Sequence, residues 1–172
     1  FGHSGIAFDD PDFFAANLLN DILGGGRFSA RLMQEVREKR GLTYGIGTYL
    51  VPKDLSEMVL GSVSSGNDTI AEAISVIQDQ WAQLAANGVT QEELDRAKQP
   101  LLTGLRESAR TNGYWLGSVL SRAQEKPEVL DWSRSRYADN EAITAAELSV
   151  LAKSYLSADH ASRVVILPAA KP

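Results

Sequence analysis

Residues 24–44 read GGGRFSARLMQEVREKRGLTY, and how this stretch folds decides the class of the whole chain. The glycine run Gly24-Gly25-Gly26 breaks whatever precedes it. Ser29 can cap a short helix with Leu32, Met33 and Val36 facing inward. Gly41 suits the left-handed stop of that helix, because it alone has no Cβ to oppose a positive φ. From Thr43 to Val51 the residues turn to Tyr, Ile and Val, which favour a strand. The stretch therefore predicts a helix, a sharp reversal and the start of a sheet.

Upstream, Asp10-Pro11 predicts a helix start, with Asp at the N-cap and Pro at the first helical position. Phe14, Leu18, Leu19 and Ile22 would form its buried face. Downstream, Glu57 to Ser64 alternates around Val59 and Val63 as a second strand, and Pro52-Lys53-Asp54 favours a hairpin between the two. The period then becomes helical. Ile70, Ile74, Ile77, Trp81 and Leu84 make one stripe, closed by Gly88. Thr90 with Glu93 forms a capping box for a helix with the stripe Leu94, Ala97, Leu101 and Leu105. Pro100 should kink or split that helix, since proline lacks an N–H and crowds the preceding turn. Residues 113–125 predict another helix, ending before Pro127. Thr144 with Glu147 is a second capping box, opening a helix to about Tyr155. Ser162 to Leu167 reads as a buried strand stopped by Pro168. Strands early, a block of helices and a returning strand imply an α+β fold, whereas a doubly wound parallel fold would alternate them. The sheet is expected to be antiparallel or mixed, with about four to six strands covered by helices on one face. Without repeats or linkers, residues 1–172 are expected to form a single domain.

The composition narrows the partners. At 44% apolar and 23% charged residues the chain is an ordinary globular protein. A net charge of −5 disfavours nonspecific binding to nucleic acid and to anionic membranes. No apolar run approaches the ~20 residues that span a bilayer, so membrane insertion is not expected. The absence of cysteine excludes disulfides and thiolate chemistry but decides no compartment. Periplasm and cytoplasm both stay open. No signal peptide is visible, and a chain opening at Phe1 reads as part of something longer.

Several chemistries lack their residues. The histidines, His3 and His160, are far apart, whereas catalytic zinc normally takes three protein ligands, often two histidines one helical turn apart. Neither H-E-x-x-H nor H-x-x-E-H occurs, so no metal site is expected in this chain, and the histidines read as surface or strand-end residues. No G-x-S-x-G elbow marks a nucleophilic serine. The glycine run has neither the spacing nor the lysine of a Walker loop, and it follows a helix rather than a strand. It precedes a helix N-terminus, which leaves incidental anion binding open. The plainer reading is that its glycines let two helices turn sharply and pack closely.

Residues 27–40 hold Arg27, Arg31, Arg37, Lys39 and Arg40 against Glu35 and Glu38, a basic segment in an acidic protein. Arg31 with Glu35, and Glu35 with Lys39, read as i,i+4 pairs on a solvated helix face. Arg37 and Tyr44 stand apart from these. The reversal at Gly41 can aim both into one cleft, where arginine offers a fork of donors to a peptide carbonyl or carboxylate. A tyrosine hydroxyl can donate to the oxyanion formed when water attacks an amide. Equally, Tyr44 could pack in the sheet and Arg37 could be solvated, and spacing does not separate the two.

Residues Asp10 to Tyr44 (DPDFFAANLLNDILGGGRFSARLMQEVREKRGLTY) are similar to the second structural half of pitrilysin/insulinase-like peptidases, the inverse zincins that include bacterial and mitochondrial processing peptidases. The later layout resembles that family over nearly the whole chain, with specific motifs confined to residues 10–60. The resemblance implies a metallopeptidase half of the mitochondrial processing peptidase/LuxS-like type, the C-terminal, inactive, substrate-binding half of a longer zinc peptidase. It further implies a zinc-bearing homologous domain or subunit as partner, zinc in that partner and none in this chain, and a peptide substrate. Arg37 and Tyr44 match the arginine and tyrosine that the closing half supplies to bind substrate and stabilise the tetrahedral intermediate. On this reading the chain alone is inactive. Family domains open with a strand that would lie just before Phe1, and without it a sheet edge would be free to pair with another copy in a homo-oligomer. Two other readings remain: a non-catalytic structural or assembly subunit of the same family, and a stand-alone peptide- or anion-binding module using the basic segment.

Overall fold

A computed structural model describes residues 1–53, 56–120, 123 and 129–156. Among the described residues, a small antiparallel sheet is covered on one face by helices. Its strands are β1 (Gly2–Ser4), β2 (Ile46–Val51) and β3 (Met58–Val63), in the order β1-β3-β2. His3 lies opposite Val59, and Leu50 opposite Val59 on the other side, so these three share one face. Three strands are fewer than the sequence predicts, and the expected strand at 162–167 lies outside the described residues. The α+β class stands.

Helix α1 (Phe13–Gly24) runs behind β2. The turn before it is made by Asp10, whose Oδ1 accepts from the Asp12 N–H at 2.8 Å, and whose carbonyl accepts from the Phe13 N–H at 3.0 Å. The helix thus begins later than Asp10-Pro11 predicts, because a turn with its own hydrogen bonds comes first. Phe13, not Phe14, is the buried aromatic, beside Ala16, Leu18, Leu19, Ile22 and Leu23. At the end of α1, a Cβ on Gly24 would stand 2.6 Å from Thr48 Oγ1. Glycine is needed there for helix and strand to approach. Asn20 Nδ2 donates to the Thr48 carbonyl at 3.1 Å across the same seam.

Helices α2 (Ile70–Asn87) and α3 (Gln91–Ser108) follow. The buried face of α2 is Ala73, Val76, Ile77, Gln80, Trp81 and Leu84, which includes three of the predicted stripe residues. Gly88 takes φ +71°, and its N–H caps the Leu84 carbonyl at 2.9 Å. The Thr90/Glu93 capping box is complete. Pro100 does not split α3, which is continuous through it. Pro100 and Arg96 are both exposed, so water can satisfy the Arg96 carbonyl that proline leaves without a donor. A π-helical turn (Tyr114–Leu120) occupies part of the helix predicted at 113–125. Helix α4 (Val129–Ala142) and helix α5 (Ala145–Tyr155) complete the cover, the latter opened by the predicted Thr144/Glu147 box. Lys98 Nζ donates to the Glu141 carbonyl at 2.6 Å and the Ile143 carbonyl at 2.5 Å, tying α3 to the α4–α5 junction. Leu18, Leu32, Val36, Leu84, Leu94 and Leu148 lie within one continuous core.

Candidate functional site

The segment after α1 folds as a helical turn that widens into a π-helix at Met33–Glu38, rather than the α-helix its pattern suggests. The Lys39 N–H reaches the Gln34 carbonyl, five residues back, at 2.9 Å. Such bulges re-aim the side chains they carry. Arg37 lies in the last turn of the bulge. Gly41, at φ +64°, reverses the chain as predicted, and its N–H returns to the Arg37 carbonyl at 2.8 Å. The Leu42 N–H closes on the Val36 carbonyl at 2.9 Å, and the Leu42 side chain is buried.

The following residues hang on the end of β3. The buried Thr43 hydroxyl donates to the Ser64 carbonyl at 2.5 Å and accepts from the Gly45 N–H at 3.1 Å. The Ser65 hydroxyl donates to the Leu42 carbonyl at 2.6 Å. These bonds delay the strand, which starts at Ile46 instead of Thr43. Tyr44 sits between the buried Thr43 and Ile46, on a backbone fixed from both sides, and its side chain points outward at 95% exposure. It does not pack in the sheet. Nor is Arg37 simply solvated. Its side chain is 31% exposed, its Cζ lies 4.9 Å above the Phe28 ring, and its Nε lies 3.5 Å from Glu38 Oε1.

The rest of the basic segment is structural. Glu35 receives Lys39 Nζ at 2.5 Å and Arg40 Nη1 at 2.7 Å. The Lys39 and then the Arg40 hydrogen bonds hold its carboxyl below the usual glutamate value. The predicted Arg31–Glu35 pair does not form. Arg31 turns inward and grips Glu93 of α3 with two bonds, Nε–Oε1 at 2.6 Å and Nη2–Oε2 at 2.8 Å, while Nη2 also donates to the Gly88 carbonyl at 2.9 Å. A fork-to-fork pair outcompetes a solvated i,i+4 contact because both charges are partly withdrawn from water. Burial pushes the Glu93 carboxyl up, but the Arg31 and Thr90 hydrogen bonds outweigh it and hold it at about 2.

The glycine run packs and turns the chain, with Gly26 at φ +79°. The cavity beside it, lined by Asp21, Arg27, Ser29, Glu93 and Arg96, holds about 10 Å³, the size of one water and too small for phosphate. Burial raises the Asp21 carboxyl there, partly offset by the Arg27 charge. A larger cavity of about 270 Å³ lies between α3 and α4, lined by Leu105, Tyr114, Trp115 and Tyr137 among others, and includes neither Arg37 nor Tyr44.

Zinc does not fit the described residues. Among them no three His, Cys, Asp or Glu side chains converge. His3 is neither on the surface nor set among ligands. It is buried in β1, its Nδ1 2.5 Å from the Ser4 carbonyl, its ring edge-on to Trp81 and Tyr155 at 5.5 and 5.1 Å. His160 lies outside the described residues. Among the described residues, no helix is long and apolar enough to cross a membrane.

Tyr44 is thus exposed and Arg37 lies over the Phe28 ring, in an α+β domain whose described residues hold no cluster of three metal-ligating side chains. The sequence model described as the Peptidase M16 inactive domain matches residues 3–101. The chain belongs to this family, as a pitrilysin/insulinase-like inactive domain. It is 36% identical over 98 residues to an uncharacterised zinc protease of Streptomyces coelicolor, covering 56% of this chain and 21% of that protein. It is 33% identical over 111 residues to the chloroplastic stromal processing peptidase of Pisum sativum, covering 62% of this chain and 8% of that protein. The solved peptidase M16 inactive domain from Pseudomonas fluorescens superposes with a TM-score of 0.80 at 31% identity, over 92% of this chain and 38% of that one. The chain therefore spans well under half the length of these relatives.

The sequence missed two residues that shape the site. Phe28 carried no role in the sequence reading, and its contact with Arg37 joins positions nine apart that share no helical period. Glu93 was visible as a cap, but not as the partner of Arg31, 62 positions away in sequence.

Proposed function

We propose that this domain is the closing half of a zinc metalloendopeptidase, working with a zinc-bearing homologous domain or subunit on a peptide substrate. The observation that carries the proposal is Tyr44, fully presented to solvent on a backbone pinned at Thr43, Leu42 and Gly41. A large aromatic presented outward on a hydrogen-bonded backbone is placed to meet a domain that closes over it. In the closed assembly Arg37 donates to a backbone carbonyl of the peptide, and the Tyr44 hydroxyl donates to the oxyanion as water attacks the scissile amide. The domain supplies orientation and charge stabilisation. The metal belongs to the other half, in keeping with the zinc protease names of the relatives.

Reconstitution tests this. The zinc-bearing half should turn over internally quenched peptides poorly alone and efficiently once this domain is added. Equal turnover with and without the domain would favour the scaffold reading.

A further inference from the structure

Arg37 is a long side chain with several rotatable bonds, yet its proposed role needs a guanidinium already in place. The structure supplies two restraints. The plane of Phe28 lies beneath the guanidinium at 4.9 Å, within the range of cation–π attraction. Glu38 Oε1 lies 3.5 Å from Nε. Phe28 is itself held, because Gln34 Nε2 donates to its carbonyl at 2.6 Å and the Ala30 N–H closes on the Arg27 carbonyl at 3.1 Å. Phe28 is 62% exposed as a residue, so it contributes little to the core and is not kept in place by burial. With its Cζ over the Phe28 ring and its Nε toward Glu38, the guanidinium keeps its two Nη groups for an incoming acceptor.

We propose that Phe28 is a positioning residue for Arg37: its ring is a platform that fixes the guanidinium plane before substrate arrives. The proposal rests on the peptidase reading above. It requires a π face at position 28, not mere bulk. Tyrosine or tryptophan should serve there, and leucine or methionine of similar volume should not.

The test uses the assembled peptidase, this domain with its zinc-bearing half, and internally quenched peptides of randomised sequence. Phe28→Leu, Phe28→Met, Phe28→Tyr and Phe28→Trp are each made in the wild-type and the Arg37→Ala background. The expected result is a loss in kcat/KM on the order of 5- to 10-fold for leucine and methionine. Tyrosine and tryptophan should stay within about twofold of wild type, and none of the four should matter once Arg37 is gone. If leucine and methionine match wild type while Arg37→Ala is impaired, the platform idea fails and the peptidase reading survives. If they lose the same factor in both backgrounds, the ring acts independently of Arg37, and the proposal is again overturned. If Arg37→Ala itself is unimpaired, the peptidase reading fails and takes the platform with it.

Discussion

Replacing Glu93 by glutamine separates the two tasks of that residue. Glutamine keeps the capping-box hydrogen bonds at the Thr90 end but removes the charge that Arg31 grips. The carboxyl falls from its usual 4.5 to about 2 in the folded protein, despite a burial effect that pushes the other way. At face value that shift is about 3 kcal/mol. Part of that shift belongs to the Thr90 hydrogen bonds, which glutamine keeps, and the pair retains 16% and 17% side-chain exposure, so the ion pair's share is about 2 kcal/mol. Because the folded value is the depressed one, the contribution is fully present above the unfolded value and fades as pH falls through the folded one. Urea unfolding of wild type and Glu93→Gln should therefore differ by about 2 kcal/mol at pH 7. The gap should hold down to about pH 4.5 and close toward pH 2. A gap that is the same at pH 7 and pH 2.5 would refute the ion-pair reasoning and leave only packing at Glu93.

Three other positions give direct checks. Gly88→Ala forces a side chain into φ +71° and places its Cβ 2.3 Å from Ser149 Oγ, so thermal unfolding should show a loss of at least about 2 kcal/mol. Gly41→Ala faces the same positive φ but open space, so the same assay should show a smaller loss, about 1 kcal/mol. Thr43→Val leaves the Ser64 carbonyl and the Gly45 N–H without their buried partner. That should destabilise the chain by about 1–3 kcal/mol in urea melts, and hydrogen exchange should quicken at Gly45 ahead of β2.

Features closed within a few residues were legible in the sequence. Both capping boxes, the stop at Gly88 and the reversal at Gly41 rest on local geometry, and each formed. Features that depend on what lies across the core were not. Arg31 abandoned its expected i,i+4 partner because a half-buried carboxylate on α3 gives a two-pronged bond that water does not compete away. The π-bulge was hidden because its hydrophobic spacing matches a short α-helix until the i−5 bond is seen. Phe13 displaced Phe14 from the interior because the Asp10 turn set the helix start, and with it the buried face. Arg37 and Tyr44 could be nominated from spacing and resemblance, but only the folded structure puts one over a ring and the other outside the sheet.

Tyr44→Phe is the sharpest probe of that pair. At 95% exposure the hydroxyl supports nothing in the fold, so the unfolding midpoint should not move. Single-turnover hydrolysis by the assembled peptidase, measured with saturating enzyme, reads the chemical step alone. If the Tyr44 hydroxyl donates to the oxyanion, the rate should fall on the order of 100-fold or more, with the midpoint unchanged. A Tyr44→Phe enzyme that cleaves at the wild-type rate would contradict that role.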